Sequence, residues 1–368
     1  MRIHAVGSRL EEWAQRMSAR HGGNGGGVTM DEVAKAAGVS QATVSRVVNG
    51  NPRVNPATTR LVERTIERLG YVPNVAARSL VTRRSDSIGV LIPEPTARVF
   101  GDPFFAEVLR GISAALSARQ LHLVLVMSQG QEEERWAERY LASRGHVDGV
   151  ILFSLHGADP LPDHLQSLGI PVVVGGEPPR GARVSYVDND NHGGAVKAVS
   201  HLIDQGRTTI ATITGPLDMP AGVTRRTAYR DALRAAGRPL DPDLEESGEF
   251  TREGGQRAME VLLDRCPDID AVFVASDLMA AGALSALYAA GRKVPRDIAV
   301  VGFDDSLIAL STQPALSSVH QSMEVMGREL VNLLLQVIDG GDHVVRGVVL
   351  ETELIVRQSS GGPPTGKS

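Results

Sequence analysis

"VTMDEVAKAAGVSQATVSRVVNGNPRVNPATTRLVERTIERLGYVP", residues 28–73, is the stretch whose reading decides how this chain begins. Thr29 followed by Glu32 is a capping-box start, and Met30, Val33 and Ala37 fall on one helical face. Gly38 stops that helix. Ser40 is placed to cap a second one, in which Val44, Val47 and Val48 repeat at helical spacing. Asn55 and Pro56 form a cap and first-turn pair for a third helix, predicted to turn Leu61, Val62, Ile66 and Leu69 inward, and Gly70 supplies its stop. Three short helices with a tight turn after the first predict a helix-turn-helix unit, a shape used for DNA binding and for other purposes.

Residues on either side sharpen that choice. Residues 1–27 end in "HGGNGGG" and are expected to form a flexible Gly-rich leader. No strand precedes those glycines and no Gly-Lys-Ser/Thr follows, which argues against a phosphate loop. Residues 1–84 hold 13 Lys/Arg and 6 Asp/Glu, whereas the rest holds 25 and 37, so the net charge of −5 hides a basic front. Such asymmetry points to a polyanionic partner, unless the front is merely a basic tail. "PNVAARSL", residues 73–80, reads as a two-turn helix whose one large apolar residue, Leu80, has no evident core.

After "VTRRSDS" (81–87) the rhythm changes. Apolar runs at 88–92, 121–127, 149–153, 171–174 and 184–187 alternate with amphipathic helical stretches, and a second series follows at 209–215, 271–276 and 298–303. Continuous apolar strands separated by helices predict parallel sheets covered on both faces. Two such series predict two doubly wound lobes, with ligand bound between them beyond the carboxyl ends of the strands. Cys266 is the only cysteine, so no intrachain disulfide is possible and a reducing compartment is favoured. No apolar run approaches the ~18–20 residues that span a bilayer, and the N-terminus lacks an export signal. A soluble, cytoplasmic protein without a membrane partner is expected.

With these stretches in view the chain resembles the LacI/GalR family of transcriptional regulators. The resemblance rests on "VTMDEVAKAAGVSQATVSRVVNG", "LGYVPNVAARSLVTRRSDSIGV", "TITGPLDMPAGVTRRTAYRDAL", "DAVFVASDLMAAGAL", "VPRDIAVVGFDDS" and "LSSVHQSMEVMG", which occur in the family's order over residues 28–358. It implies an all-α helix-turn-helix headpiece at 28–72 and a hinge helix and linker at 73–86. An α/β two-lobed core of the periplasmic-binding-protein type I, with doubly wound parallel sheets, follows at 87–358, and a flexible tail at 359–368. It further implies that a helix near Met323–Ile338 returns to the first lobe and that "VVLETELIVR" finishes in the second.

A helix-turn-helix unit sets its second helix in the major groove. The face offered there is Gln41, Ala42, Thr43, Ser45 and Arg46. Arg46 suits a bidentate contact to guanine, Gln41 an adenine or another base edge, and Ala42 a thymine methyl. Thr29, Ser40, Thr43, Ser45 and Asn49 suit phosphates, which fix register. The resemblance makes "PNVAARSL" a hinge helix that pairs with its copy in the minor groove. Ala77, beside Ala76, allows close approach, and Leu80 wedges between base steps; otherwise the helix packs on its own domain. A homodimer on a pseudo-palindromic operator follows from that geometry. The chain shows no C-terminal leucine heptads, the device by which some relatives become tetramers.

A sugar site needs aromatic faces and planar polar groups. With 14 aromatic residues in the chain, Phe100, Phe104 and Phe105 in "VFGDPFF" are conspicuous, as core or as cleft, and so is Phe250 in "GEFTREGG". By resemblance, Arg225 and Asp277 are the effector-clamping pair, Asp277 alternatively capping the helix it begins. Asp188 and Gln321 are further contacts. Several segments look most like the branch responding to cellobiose or cello-oligosaccharides, with a maltose-type disaccharide or another β-glucoside next and a nucleobase last. The resemblance implies a repressor released by its sugar, although direction is not readable from residues. No catalytic, metal or cofactor site is expected. Asp304 and Asp305 are adjacent and point apart, no zincin or nucleophile-elbow pattern occurs, and the histidines are scattered. A transport binding protein would share the core but lack the headpiece.

Overall fold

The computed structural model describes residues 28–48, 53–71, 84–128, 130–143, 145–178, 181–340 and 345–362. The leader, Asn49, and the expected hinge helix with its Ala77 and Leu80 lie outside the described residues, as does the end of the tail. The chain divides into two compact units at Arg83/Arg84.

The first unit has helices Met30–Ala37, Gln41–Val48 and Pro56–Leu69. The Thr29 backbone N–H donates to Glu32 Oε2 at 2.8 Å, while the Glu32 N–H returns to Thr29 Oγ1 at 3.3 Å, so two otherwise orphaned donors are satisfied. Gly38 then adopts left-handed φ 66° and ends the helix. Ser40 Oγ accepts from the Thr43 N–H at 3.2 Å, opening the second helix. Asn55 Oδ1 accepts from the Ala57 N–H at 2.8 Å ahead of the third. Val33, Val44 and Val62 are fully buried at the centre of this small core. Leu61 corrects the expectation: it is 49% exposed. The buried stripe runs through Val62, Thr65, Ile66 and Leu69, and Leu61 lies about 100° around the helix from it. Thr65 fits that stripe because its hydroxyl is satisfied by the Leu61 carbonyl at 2.8 Å.

The second unit holds two six-stranded sheets. The first begins with β1 Ser87–Ile92, β2 His122–Met127, β3 Gly149–Phe153, β4 Val172–Gly175 and β5 Ser185–Asn189. The second has β6 Ile210–Thr214, β7 Glu245–Ser247, β8 Ala271–Val274, β9 Ala299–Asp304 and β10 Ser317–His320. The chain closes with β11 Gly347–Leu350 and β12 Glu353–Ile355. Strand orders are β11-β5-β4-β3-β1-β2 and β12-β10-β9-β8-β6-β7. All pairings are parallel except β10 with β12.

Each of the eight apolar runs is a strand. The polar strands β7 and β10 were not announced by hydrophobicity. β10 buries Ser317 and Ser318, whose hydroxyls donate to the Arg357 carbonyl at 3.0 Å and to Asp277 Oδ1 at 2.6 Å. Helix Met323–Ile338 returns to the first sheet, as expected. "VVLETELIVR" does not finish wholly in the second lobe: β11 pairs with β5 in the first sheet, and only β12 joins the second. The two lobes are thus stitched by this last crossing as well.

Two helix pairs cross on glycines. Helices Pro103–Ser117 and Met323–Ile338 meet where a Cβ on Gly111 would fall onto the Glu324 carbonyl, and one on Gly327 onto the Val108 carbonyl. Helices Arg252–Arg265 and Asp277–Ala289 repeat the device with Gly255 and Gly282. Backbones at that separation leave no room for any side chain.

Candidate functional site: an interlobe cleft and a helix-turn-helix face

Loops after the carboxyl ends of the strands in both lobes enclose a cleft whose space, open mouth included, is about 780 Å³. Arg225, on helix Pro220–Ala235, is buried there. Its Nε donates to Asn191 Oδ1 at 2.8 Å and its Nη1 to the Ala275 carbonyl at 2.6 Å. The guanidinium carbon lies 3.7 Å from the centre of the Phe303 ring and 5.9 Å from that of Phe250. Burial works against its charge, and Asp304, Asp188, Asp277 and Asp102 compensate.

Asp304, at the end of β9 with a left-handed φ of 114°, places Oδ1 3.6 Å from Arg225 Nη1 and accepts from Gln321 Nε2 at 2.6 Å. Burial, set against Arg225 and reinforced by Asp277 and Asp102, holds its carboxyl well above the usual range. Asp188 also lines the cleft. It accepts from the Asn189 N–H at 2.8 Å and from Asn191 Nδ2 at 3.0 Å, and burial pushes its carboxyl up to about 6. Phe104 stands edge-on to Phe105, centroids 5.4 Å apart, and to Phe153 at 6.4 Å. Phe250 supplies an aromatic wall from the second lobe.

Of the six residues expected at the effector, Phe104, Asp188, Arg225, Phe250 and Gln321 line the cleft. Asp277 does not. It is wholly buried behind β9 and β10, where Oδ2 accepts from the Ser306 N–H at 2.8 Å and Oδ1 from Ser318 Oγ at 2.6 Å. Nor does Asp277 cap its helix, since Ser276 Oγ accepts from the Met279 N–H. The aspartate that faces Arg225 is Asp304, which sequence reasoning weighed only as an acid/base candidate. Its neighbour Asp305 does point away, to Arg357 Nη2 at 2.6 Å. Asp102, Asn191 and Arg98 also line the cleft and were missed. A usable signal for Asp304 was its place at the end of the apolar run of β9. Phe100 is exposed and lies outside the cleft lining, and Phe105 is mostly core.

On the first unit, Thr29, Ser40, Gln41, Ala42 and Arg46 are exposed, while Thr43 and Ser45 are half-buried on the same short helix. Gln41, Ala42 and Arg46 are therefore open to a groove floor. Ser40 and Thr43 bond each other at 2.9 Å. Among the described residues no cluster of His, Cys, Asp or Glu could hold a metal ion, and no helix is long and apolar enough to cross a membrane.

A helix-turn-helix unit preceding a two-lobed core with a polar, aromatic-walled cleft defines a ligand-responsive DNA-binding regulator. Residues 29–74 match the description "Bacterial regulatory proteins, lacI family", and residues 199–360 match a periplasmic binding protein-like domain. The HTH-type transcriptional regulator CelR of Thermobifida fusca is 49% identical over 334 residues, covering 90% of this chain and 98% of its own. The ribose operon repressor of Escherichia coli K12 is 35% identical over 83% of this chain and 92% of its own. Among solved structures, a CelR–cellobiose complex has a TM-score of 0.73 at 47% identity, covering 90% of this chain and all of that one. A lac repressor dimer bound to operator and an anti-inducer has 0.79 at 26% identity, covering 91% of this chain and 99% of that one. The chain belongs to the LacI family of transcriptional regulators.

Proposed function

We propose that this protein is a cytoplasmic transcriptional repressor that binds a pseudo-palindromic operator as a homodimer and is released by cellobiose or a short cello-oligosaccharide. The observation that carries the ligand is the cellobiose complex of a relative 47% identical over nine-tenths of this chain. The cleft is chemically suited to a neutral saccharide. Phe104 and Phe250 offer faces for the ring C–H surface, and Arg225, Asp304, Asp188 and Gln321 offer paired donors and acceptors for hydroxyls. Arg46 and Gln41 would read base edges, with Thr29, Ser40, Thr43, Ser45 and Asn49 on phosphates and Ala77 and Leu80 in the minor groove.

Homodimer formation is supported by an apolar patch on the second lobe. Tyr288, 87% exposed, lines a groove with Leu278, Leu284 and Ile308, and the short helix Leu307–Ser311 that carries Ile308 also exposes Leu307 at 73% and Leu310 at 57%. Adjacent exposed apolar side chains of this kind mark protein interfaces. Release follows if the sugar favours a lobe arrangement in which the paired DNA-binding units fit the operator less well, since an effector acts only through its preference between states. Fluorescence anisotropy of a labelled pseudo-palindromic operator, with cellobiose, maltose, lactose, glucose and hypoxanthine added in turn, tests this. Salt-sensitive binding lost with cellobiose is the expected result. Loss with maltose alone would replace the ligand, and binding unmoved by every compound would overturn the effector reading.

A further inference from the structure

The chain crosses between the lobes after β5, after β10 and between β11 and β12, all toward the β11–β5 and β12–β10 edges of the two sheets. Farther across both sheets, the loops after β1 and β3 meet the loop after β6 through a histidine. His156, half-buried in the loop after β3, meets Glu94 Oε1 of its own lobe with Nε2 at 3.2 Å. Its Nδ1 meets Asp218 Oδ2 of the second lobe at 2.9 Å. Beside it, the Gly157 N–H donates to the Asp218 carbonyl at 2.7 Å, so side chain and backbone of Asp218 are both engaged from the opposite lobe. Thr224 Oγ1 also reaches Glu177 Oε2 from lobe to lobe, but at 3.5 Å. The two ends of the imidazole differ. Glu94 is buried and accepts as well from Ser154 Oγ at 2.6 Å and Arg98 Nη1 at 2.5 Å, whereas Asp218 is exposed. Burial works against the Glu94 charge, yet His156, Arg98 and Ser154 hold its carboxyl below the usual range. Both neighbours of the ring are acceptors, so only the doubly protonated imidazolium donates to each. Once one proton leaves, the remaining N–H stays with buried Glu94, where an unpaired carboxylate costs most, and a bare Nδ1 faces Asp218.

We propose that His156 and Asp218 form a proton-dependent latch between the lobes, fastened while the imidazole is charged and parting as it loses its proton, which slows escape of the bound effector. The inference rests on the cleft being the effector site. Neither residue belongs to the cleft lining, so the pair acts on the lobes rather than on the ligand. The charged groups set against the ring among the described residues are Glu94, with Arg98 behind it, and Asp218. Glu94 chiefly, against burial and with Asp218 adding, raises His156 to about 9, so the latch is charged at neutral pH and loses its proton as pH rises through that value. The exposed end gives way first, because Asp218 is met by water when it parts from the ring.

The test is stopped-flow dissociation of cellobiose from the full-length wild type, His156→Gln and Asp218→Ala between pH 7 and 10, with circular dichroism at each pH to confirm folding. Wild-type release should quicken about two- to fivefold as pH rises through about 9. Asp218→Ala should release at the faster rate already at pH 7 and show a flat profile, and His156→Gln should do the same. The carboxyl groups of the cleft are common to every variant and cancel in the comparison. Should His156→Gln fail to fold, Asp218→Ala carries the test, since that side chain is exposed. Wild-type release unchanged over this range, or Asp218→Ala that keeps the wild-type rate and profile, would overturn the latch while leaving the cleft as the effector site. Wild type that binds no cellobiose would count against the effector reading instead, and the latch is then read without ligand. Hydrogen exchange of the Gly157 amide at pH 7 should be faster in Asp218→Ala than in wild type, and equal exchange would overturn the latch.

Discussion

Asp304 and Asp277 carry similar short carboxylates into the same lobe and do different work. Asp304 lies beside Arg225 in the cleft lining, whereas Asp277 holds β10 and the Ser306 turn together. Asp304→Asn should weaken sugar binding about tenfold or more with a modest change in melting temperature. Asp277→Asn should do the reverse, because its amide nitrogen cannot accept from Ser306 or Ser318. Calorimetry beside thermal melts separates the two, and equal losses of affinity would sink the distinction. His156 gives a pH signature. Its folded pKa of about 9 lies above the ordinary 6.5, chiefly through its hydrogen bond to Glu94, with burial opposing and Asp218 adding. The folded state therefore holds this proton more tightly, so the stabilisation is complete below pH 6.5 and is lost as pH rises through about 9. His156→Gln should melt below wild type at pH 7, with the gap closing toward pH 10. A gap that stays constant with pH would show that the histidine contributes shape alone.

Among the elements, the glycine crossings decide how closely the layers pack. Gly327→Ala would drive a methyl into the Val108 carbonyl, on a helix that covers the first sheet. We expect a loss of about 1–3 kcal/mol in denaturant unfolding, the usual cost of overpacking. Neutral behaviour would mean that the two helices slide apart freely. The elements also differ in how legible they were. The headpiece helices were readable with their caps because capping, stop and periodicity act within a few residues. The eight apolar strands were readable because a doubly covered strand is apolar on both faces. β7 escaped because an edge strand need not be apolar, and β10 escaped because its buried serines are satisfied by Asp277 and Arg357, partners about forty residues away. Leu61 was misread by one position, since a neighbour on a helix differs by about 100° in direction.

At the scale of the whole molecule, the patch around Leu307, Leu310 and Tyr288 asks for a partner of the same kind. Leu310→Asp should leave the fold intact, because that side chain is exposed, and should shift sedimentation from dimer toward monomer. Operator affinity should then fall with it, since each copy carries a single helix-turn-helix unit. An unchanged dimer would place the interface elsewhere.

The amino-acid sequence alone determined the plan: a basic helix-turn-helix front, two doubly wound lobes, and a cleft between them containing Arg225, Phe250, Phe104, Asp188 and Gln321. Those features depend on local periodicity, caps and family motifs, which the chain displays in order. Which carboxylate faces Arg225 and how the last strands divide between the lobes were decided only in three dimensions. Asp277 and Asp304 are alike as residues, and only the positions of Ser318, Ser306 and Arg225 around them separate a structural acceptor from a ligand-facing one.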